Sequence, residues 1–283
     1  MLKNIDIKEI INIALKAGVE IMKIYKEDFS VEYKEDNSPL TEADLKANTV
    51  ICESLQKLYP NIPIMSEENK QTPYEIRKNW NYYWCIDPID GTKEFIKKND
   101  EFTVNIALIH KNSPVLGVVY APALGELYYA KKGEGSFRAI LNFECLILNE
   151  EKLPIIEKLE LKDKNSINIV ASKSHLNKET EDFINNLKVN IQNLKLIPKG
   201  SSLKLCMIAT GEADIYPRLS PTMEWDTAAA DAIVREAGKM TYQYHSRFNI
   251  YEILQEKEAN SKIEMPLMYN KEELLNPWFV VVG

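Results

Sequence analysis

Histidine is scarce in this chain: only three occur among 283 residues, at positions 110, 175 and 245. None has the spacing of a zinc site, so any metal chemistry must rest on oxygen donors. The four cysteines, Cys52, Cys85, Cys145 and Cys206, show no CxxC spacing and mostly sit among apolar neighbours. They read as buried reduced thiols, neither disulfides nor zinc ligands. Positive charge is also in deficit, with 35 Lys and Arg against 42 Asp and Glu for a net charge of -7, which argues against a binder of nucleic acid polymers. A local basic pocket remains compatible with that balance. GxxxxGK[ST] and GxSxG are both missing, and GEGSFR at 133–138 lacks the third glycine of a dinucleotide fingerprint. A nucleoside-triphosphate switch and a serine hydrolase are therefore disfavoured. The first apolar segment, Ile5 to Tyr25, is interrupted by Lys and Glu at helical spacing, so it reads as an amphipathic helix and not as a signal peptide or membrane span. A cytoplasmic location is expected.

What is present suits one large globular unit or two subdomains, since 45% hydrophobic content over this length can bury a large core. Helical patterns cover 5–26 and 42–58, with a strand-like piece at Val31 to Tyr33 between them. Apolar runs at 103–109, 115–121 and 126–130, separated by turn signals and followed by GEG at 133–135, predict an antiparallel meander. From about residue 165 strands alternate with helices: INIVAS, a helix at 177–188, KLIP, a helix at 202–210, ADIY and a helix at 226–237. That alternation predicts a second, α/β layer. The Lys/Glu-rich segment 149–165 reads as the junction, giving an N-terminal α+β part over 1–160 and a C-terminal α/β part over 161–283.

The chemistry concentrates in Tyr83 to Leu108, YWCIDPIDGTKEFIKKNDEFTVNIAL. Tyr82 to Ile86 read as a buried strand, and Pro88 is expected to end its ladder just after Asp87. Gly91 then frees the backbone to bend, so that Thr92 to Ile96 can open a helix whose first amides have no intrahelical partner and attract phosphate. Each acid has a plain alternative. Asp226 before TAAADAIV fits a helix N-cap, Asp87 and Asp90 fit a Pro-containing turn, and Glu67 fits a solvated loop. Thr41-Glu42-Ala43-Asp44 has the form of a capping box. Lys199-Gly200-Ser201-Ser202-Leu203-Lys204, hydroxyls and cations around a glycine before an apolar helix, could hold a sugar or phosphate, with Arg218 a second candidate.

Together with DNSPLTEAD (36–44), SEE (66–68), KGSSLKLC (199–206) and EWDTAAADAIVREAG (224–238), the DPIDGT run resembles the magnesium-dependent phosphatases of the inositol monophosphatase superfamily. The extension KEF…EFTVNIAL is similar to that of the 3'(2'),5'-bisphosphate nucleotidases of the CysQ type. The resemblance implies the layered αβαβα sugar-phosphatase fold, a mixed α+β and α/β class with the active site between two subdomains. It implies metal ligation by Glu67, Asp87, Asp90, Asp226 and the Ile89 carbonyl, holding two or three magnesium ions with manganese as a substitute. Asp44 and Thr92 would orient and deprotonate the nucleophilic water. Gly91, Thr92 and Lys34 would bind the reacting phosphate, with Glu68 as support, while Ser174, Ser201, Ser202, Lys204 and Arg218 would face the rest of a nucleotide. Four carboxylates converging to ~5 Å would repel by roughly 3 kcal/mol per pair at an effective dielectric of 20, which calls for divalent cations. The implied reaction removes the 3'-phosphate of adenosine 3',5'-bisphosphate, with the sulfated precursor nucleotide as a further substrate. Rival readings are an inositol monophosphatase or sugar bisphosphatase, and a non-catalytic sensor of nucleotide or magnesium. One departure is Asp100, where relatives usually carry Gly before EFTVN. Oligomeric state is not legible.

Overall fold

Alternation of side chains along the strands decides which helices cover which face of the main sheet. The computed structural model describes residues 1–34, 39–142, 147–152, 166–172, 176–191, 193–245, 250 and 265–283. Helix α1 (Ile7–Tyr25), capped by Asp6, is followed by the antiparallel pair β1 (Val31–Tyr33) and β2 (Pro39–Thr41), then by α2 (Glu42–Leu58). Strands β3 (Ile64–Ser66), β4 (Tyr82–Asp90), β5 (Thr103–His110), β6 (Ser113–Ala121), β7 (Glu126–Lys131), β8 (Gly135–Asn142) and β9 (Ile147–Lys152) form one sheet in sequence order. The expected antiparallel meander forms as β5 to β8, extended by β4 on one side and by β9 on the other, which runs into the expected junction segment, with β3 added in parallel beside β4. Short helices α3 (Tyr74–Arg77) and α4 (Thr92–Ile96) flank β4.

Trp84, Ile86, Val104, Ile106 and Leu108 point to one face, where Ile10, Ala14, Ala17 and Ile21 of α1 and Ala47, Ile51 and Leu55 of α2 cover them. Each of these large aliphatic side chains, fully buried, contributes about 1.5–3 kcal/mol. Tyr83, Cys85, Ala107, Ile109 and Val119 point the other way, onto α6 (Leu203–Thr210) and α7 (Glu224–Glu236). Contact with α7 is close enough that a Cβ at Gly117 would lie 2.0 Å from the Ala229 carbonyl oxygen. Only glycine lets the sheet meet that helix so directly.

The second sheet has the order β11 (Leu194–Lys199), β10 (Ile167–Ser172), β12 (Ile215–Arg218), β14 (Phe279–Val282), β13 (Met240–Gln243). One face, with Val170, Tyr216, Phe279 and Val281, shares the α6–α7 core, and the other, with Ile167, Ile169 and Val280, is covered by Ile184 and Leu187 of α5 (Lys178–Asn190). Helices, sheet, helices, sheet and helix therefore stack as αβαβα. Among the described residues no helix is long and apolar enough to cross a membrane. Cys85 and Cys206 are buried and Cys52 is partly so, all as free thiols, while Cys145 lies outside the described residues.

Two sequence expectations need correction. Pro88 does not end β4: the ladder with β5 breaks after Asp87↔Asn105, resumes at Asp90↔Thr103, and leaves a bulge between them. A bulge accommodates the missing N–H of proline and re-aims the side chains beside it. Helix α7 begins at Glu224, with Met223 as its cap, so Asp226 is the third helical residue and not the N-cap. Its carboxylate reaches back to the cap instead.

Candidate metal and phosphate site

Three chain segments deliver acids to one place. Glu67 follows the end of β3 and is tied to β4 by its own N–H, which donates to the Ile86 carbonyl at 3.1 Å. Asp87 leaves β4 at the bulge, its Oδ1 accepting the Ile89 N–H at 3.0 Å. Asp226 arrives from the first turn of α7, its Oδ2 accepting the Met223 N–H at 2.9 Å. Ligand-capable oxygens of Glu67, Asp87 and Asp226 all lie within 4.8 Å of one another. Asp90 does not join that group of three, contrary to the expectation of four converging carboxylates. It lines the same cleft of about 420 Å3, on the side of Lys204.

Burial sets the electrostatics. Asp87 is held well above the usual carboxylate range by burial first and then by the charges of Glu67, Asp90 and Asp226. Asp226 is pushed up to about 8 by burial and then by Asp90. Asp90 rises to about 6 through burial, against the opposing pull of Lys204. Such a cluster either takes up protons or takes up cations. Hard carboxylate oxygens with no imidazole or thiolate suit magnesium or manganese, so the residues present fit that class of ion. Lys34 bridges Glu67 at 2.8 Å and Glu68 at 2.7 Å. Its ammonium pKa lies above the ordinary lysine range because both carboxylates outweigh burial, and Glu68 is raised to about 7 by burial.

Beside the cluster, Asp44 performs two jobs with its two oxygens. Oδ2 completes the capping box, accepting the Thr41 N–H at 2.8 Å and the Thr41 hydroxyl at 2.6 Å. Oδ1 accepts the Thr92 hydroxyl at 3.4 Å, and that hydroxyl also lies 3.2 Å from the Ile89 carbonyl. Cap and dyad were alternatives in the sequence; in the fold they coexist. Asp44 is 2% exposed, and burial lifts it to about 6 against the Thr41 bonds. Thr92 opens α4 after Gly91, whose φ of +93° is the left-handed region glycine enters without strain. Both line the cleft, as does Ile89.

On the same cleft wall, Lys204 is 5% exposed, donates to the Ser201 carbonyl at 2.5 Å, and stands 5.6 Å from the Tyr216 ring centroid. Burial lowers it to about 8, opposed by Asp90. Arg218 donates to the Pro221 carbonyl at 3.0 Å, and its Nε, like the Ser201 hydroxyl, finds no partner among the described residues. Ser202 corrects the sequence reading: its hydroxyl is buried against Thr103 at 2.8 Å and Asn105 at 2.9 Å, so it ties α6 to β5 and is not a spare donor. Its backbone N–H is the part that bonds to Asp90. Ser174 lies outside the described residues. Asp100 takes a φ of +68°, the backbone that glycine would supply, and its carboxylate accepts the Tyr25 hydroxyl at 2.8 Å. Sequence reasoning missed Tyr216, Thr222 and Leu275, which also line the cleft. Of these, only Tyr216 lay in a recognised strand pattern.

Comparison with known proteins agrees with this fold. The profile of the inositol monophosphatase family matches residues 5–272. A 3'(2'),5'-bisphosphate nucleotidase CysQ of Salmonella typhimurium is 41% identical over 85% of this chain and 92% of its own length. The protein of that name from Escherichia coli K12 is 37% identical over 96% and 98%. Among solved structures, CysQ from Bacteroides thetaiotaomicron, described as a bacterial member of the inositol monophosphatase family, superposes with a TM-score of 0.78 at 43% identity, covering 98% of this chain and 96% of that one. Profile, sequence relatives and fold agree over nearly the whole length, and this chain belongs to the inositol monophosphatase family.

Proposed function

We propose that this chain is a magnesium-dependent 3'(2'),5'-bisphosphate nucleotidase that hydrolyses adenosine 3',5'-bisphosphate to AMP and phosphate. The observation carrying the reading is one cleft lined by the clustered carboxylates of Glu67, Asp87 and Asp226, by Thr92 with the buried Asp44 bonded behind it, and by the cations Lys204 and Arg218. A substrate with two phosphates can use both groups. Glu67, Asp87, Asp90 and Asp226, with the Ile89 carbonyl, would hold the ions. Magnesium held by these residues would supply charge neutralisation and lower the pKa of water enough for it to act as a nucleophile.

The protein's own groups do the rest. Asp44, through the Thr92 hydroxyl, orients the attacking water and takes its proton. Gly91 and Thr92 bind the phosphoryl oxygens, with Lys34 balancing Glu67 beside them. The water oxygen bonds to phosphorus as the bond to the ribose 3'-oxygen breaks, and that oxygen leaves by taking a proton from solvent to become the free hydroxyl. Lys204, Arg218 and the Ser201 hydroxyl hold the 5'-phosphate. The division at 160/161 then has a functional meaning, because the first part carries the water-activating pair and most acids, and the second carries Asp226 and the cations for the remote phosphate.

A side-by-side phosphate-release assay tests this reading, using adenosine 3',5'-bisphosphate, inositol 1-phosphate and fructose 1,6-bisphosphate. The nucleotide should be hydrolysed with the highest kcat/KM. Excess chelator should abolish release, and calcium, which prefers longer and looser coordination, should not restore it. Preference for inositol 1-phosphate or the sugar bisphosphate would overturn the substrate assignment. Absence of phosphate release from all three would overturn the enzyme assignment.

A further inference from the structure

A fully buried carboxylate lies just behind the site, and the chemistry above does not use it. Glu224, at 0% exposure, opens α7 two residues before Asp226. Its Oε1 accepts both the Lys271 N–H at 2.9 Å and the Lys271 ammonium at 2.7 Å. Its Oε2 accepts the Asn270 N–H at 2.7 Å and the Tyr83 hydroxyl at 3.3 Å. A charge taken so far out of water is tolerated only with this kind of full pairing.

The partners show what the charge joins. Tyr83 stands in β4, four residues before Asp87. Arg77, in α3 between Glu67 and β4, donates to the Asn270 side chain at 3.0 Å and the Glu272 carbonyl at 2.6 Å, and the Asn270 amide returns a bond to the Arg77 carbonyl at 2.8 Å. Asn276 then closes over the start of α7, donating to the Met223 carbonyl at 2.8 Å and the Thr227 hydroxyl at 3.1 Å. Segment 270–276 is thus a strap that bonds α3 and the first turn of α7 directly, and through Glu224 reaches β4, the strand that carries Asp87.

We propose that Glu224, clamped by Lys271, is a positioning residue that fixes Asp226 in register with Asp87. It rests on the reading of Asp226 as a metal ligand. The apolar face of α7 already docks the helix on the sheet through Ala228, Ala229 and Ile233. What that face leaves open is the placement of the first turn, where an error of about 0.5 Å is enough to spoil a metal site. Glu224 supplies that constraint by tying the turn to β4 and the strap together.

Magnesium titration by calorimetry into the metal-free protein, with melting in chelator measured alongside, tests the proposal. Glu224→Gln and Lys271→Met should each weaken magnesium binding by about 10-fold, the low end for partners that orient metal ligands. Lys271→Arg should recover most of the affinity. Unchanged magnesium affinity in Lys271→Met, with only a lower melting point, would overturn the proposal and leave the strap a purely structural tie. Lys271→Met decides the matter if Glu224→Gln does not fold. Asp226→Asn is the control: if it binds magnesium like the wild type, the ligand reading itself has failed, whereas loss there with normal binding in Lys271→Met sinks only the role of the strap.

Discussion

Helices α2 and α7 start with the same local device and bring different chemistry to the cleft. In both, the aspartate three residues past the cap folds back so that Oδ2 accepts the cap N–H, at 2.8 Å for Asp44 and 2.9 Å for Asp226. One oxygen of each is spoken for, and in Asp44 the other meets Thr92 at the cleft. The caps differ, since the Thr41 hydroxyl adds a second bond to Asp44 and Met223 has none to offer. So do the neighbours. Asp44 meets a hydroxyl, Thr92, whereas Asp226 meets Glu67 and Asp87. Burial raises both, to about 6 for Asp44 and about 8 for Asp226. The cap holds one oxygen of each carboxylate, and the surroundings differ in the way the proposed roles of base for Asp44 and metal ligand for Asp226 require.

The comparison breaks most severely at Asp226→Asn. The amide oxygen can keep the cap, but the ligand charge is gone. Several kcal/mol of metal-derived stabilisation at tenfold per 1.36 kcal/mol implies a loss of turnover of at least ~100-fold. Circular dichroism should show a folded protein, and Asp90→Asn should behave alike in phosphate release. Asp44→Asn also lowers turnover, by roughly 100-fold for loss of a general base, but through a different step. Near-normal turnover at saturating magnesium in either helix variant would remove that residue from the site.

A further substitution sharpens the contrast between the acids and the cations of the cleft. Lys204→Ala should cost about 10-fold to 100-fold in kcat/KM on adenosine 3',5'-bisphosphate, the worth of one charge-assisted hydrogen bond of roughly 1.5–3 kcal/mol. On a 3'-monophosphate it should cost little. Equal losses on both substrates would mean that Lys204 acts through its neighbour Asp90 and does not read the second phosphate.

Acidity separates the metal-free form from the loaded one. Asp87, Asp90 and Asp226 are all raised above the ordinary value of about 3.9, so between roughly pH 4 and pH 8 the folded chain holds more protons than the unfolded chain. Stability in chelator must therefore fall as pH rises through that window. Thermal melts should show it, and magnesium should raise the midpoint more at pH 8 than at pH 5. A chelated protein that gains stability from pH 5 to pH 8 would contradict the buried cluster. The smallest effect belongs to the caps themselves: Thr41→Ala should cost about 1 kcal/mol in denaturant unfolding. No comparable loss is expected from Met223→Leu, which has no side-chain cap bond to remove.

Much of the fold was legible because its signals are local. The buried strand from Tyr82 to Ile86, the turns of the meander and the capping box at Thr41 each depend on residues a few positions apart, and each forms as read. The layered αβαβα stack followed from the resemblance and is present. Misreadings came where distant segments intervene. Proline at 88 looked like a stop because the resumption at Asp90 depends on the partner strand, which pairs it with Thr103. Ser202 looked like a spare hydroxyl because Asn105, nearly a hundred positions earlier, claims it. Glu224 appeared only as the residue before Trp225 in a motif, with nothing nearby to announce Lys271 or Asn270 as its partners. Strand β14 inserts between β12 and β13, and its apolar run Phe279–Val282 was the signal that could have revealed it.

Magnesium titration of Asp44→Asn and Asp226→Asn, side by side by calorimetry on metal-free protein, tests the division of labour most directly. The account predicts that Asp44→Asn binds magnesium within a few-fold of the wild type while losing turnover, and that Asp226→Asn loses both. Loss of magnesium binding in both variants, or its retention in both, would contradict the assignment of one capping aspartate to the water and the other to the metal.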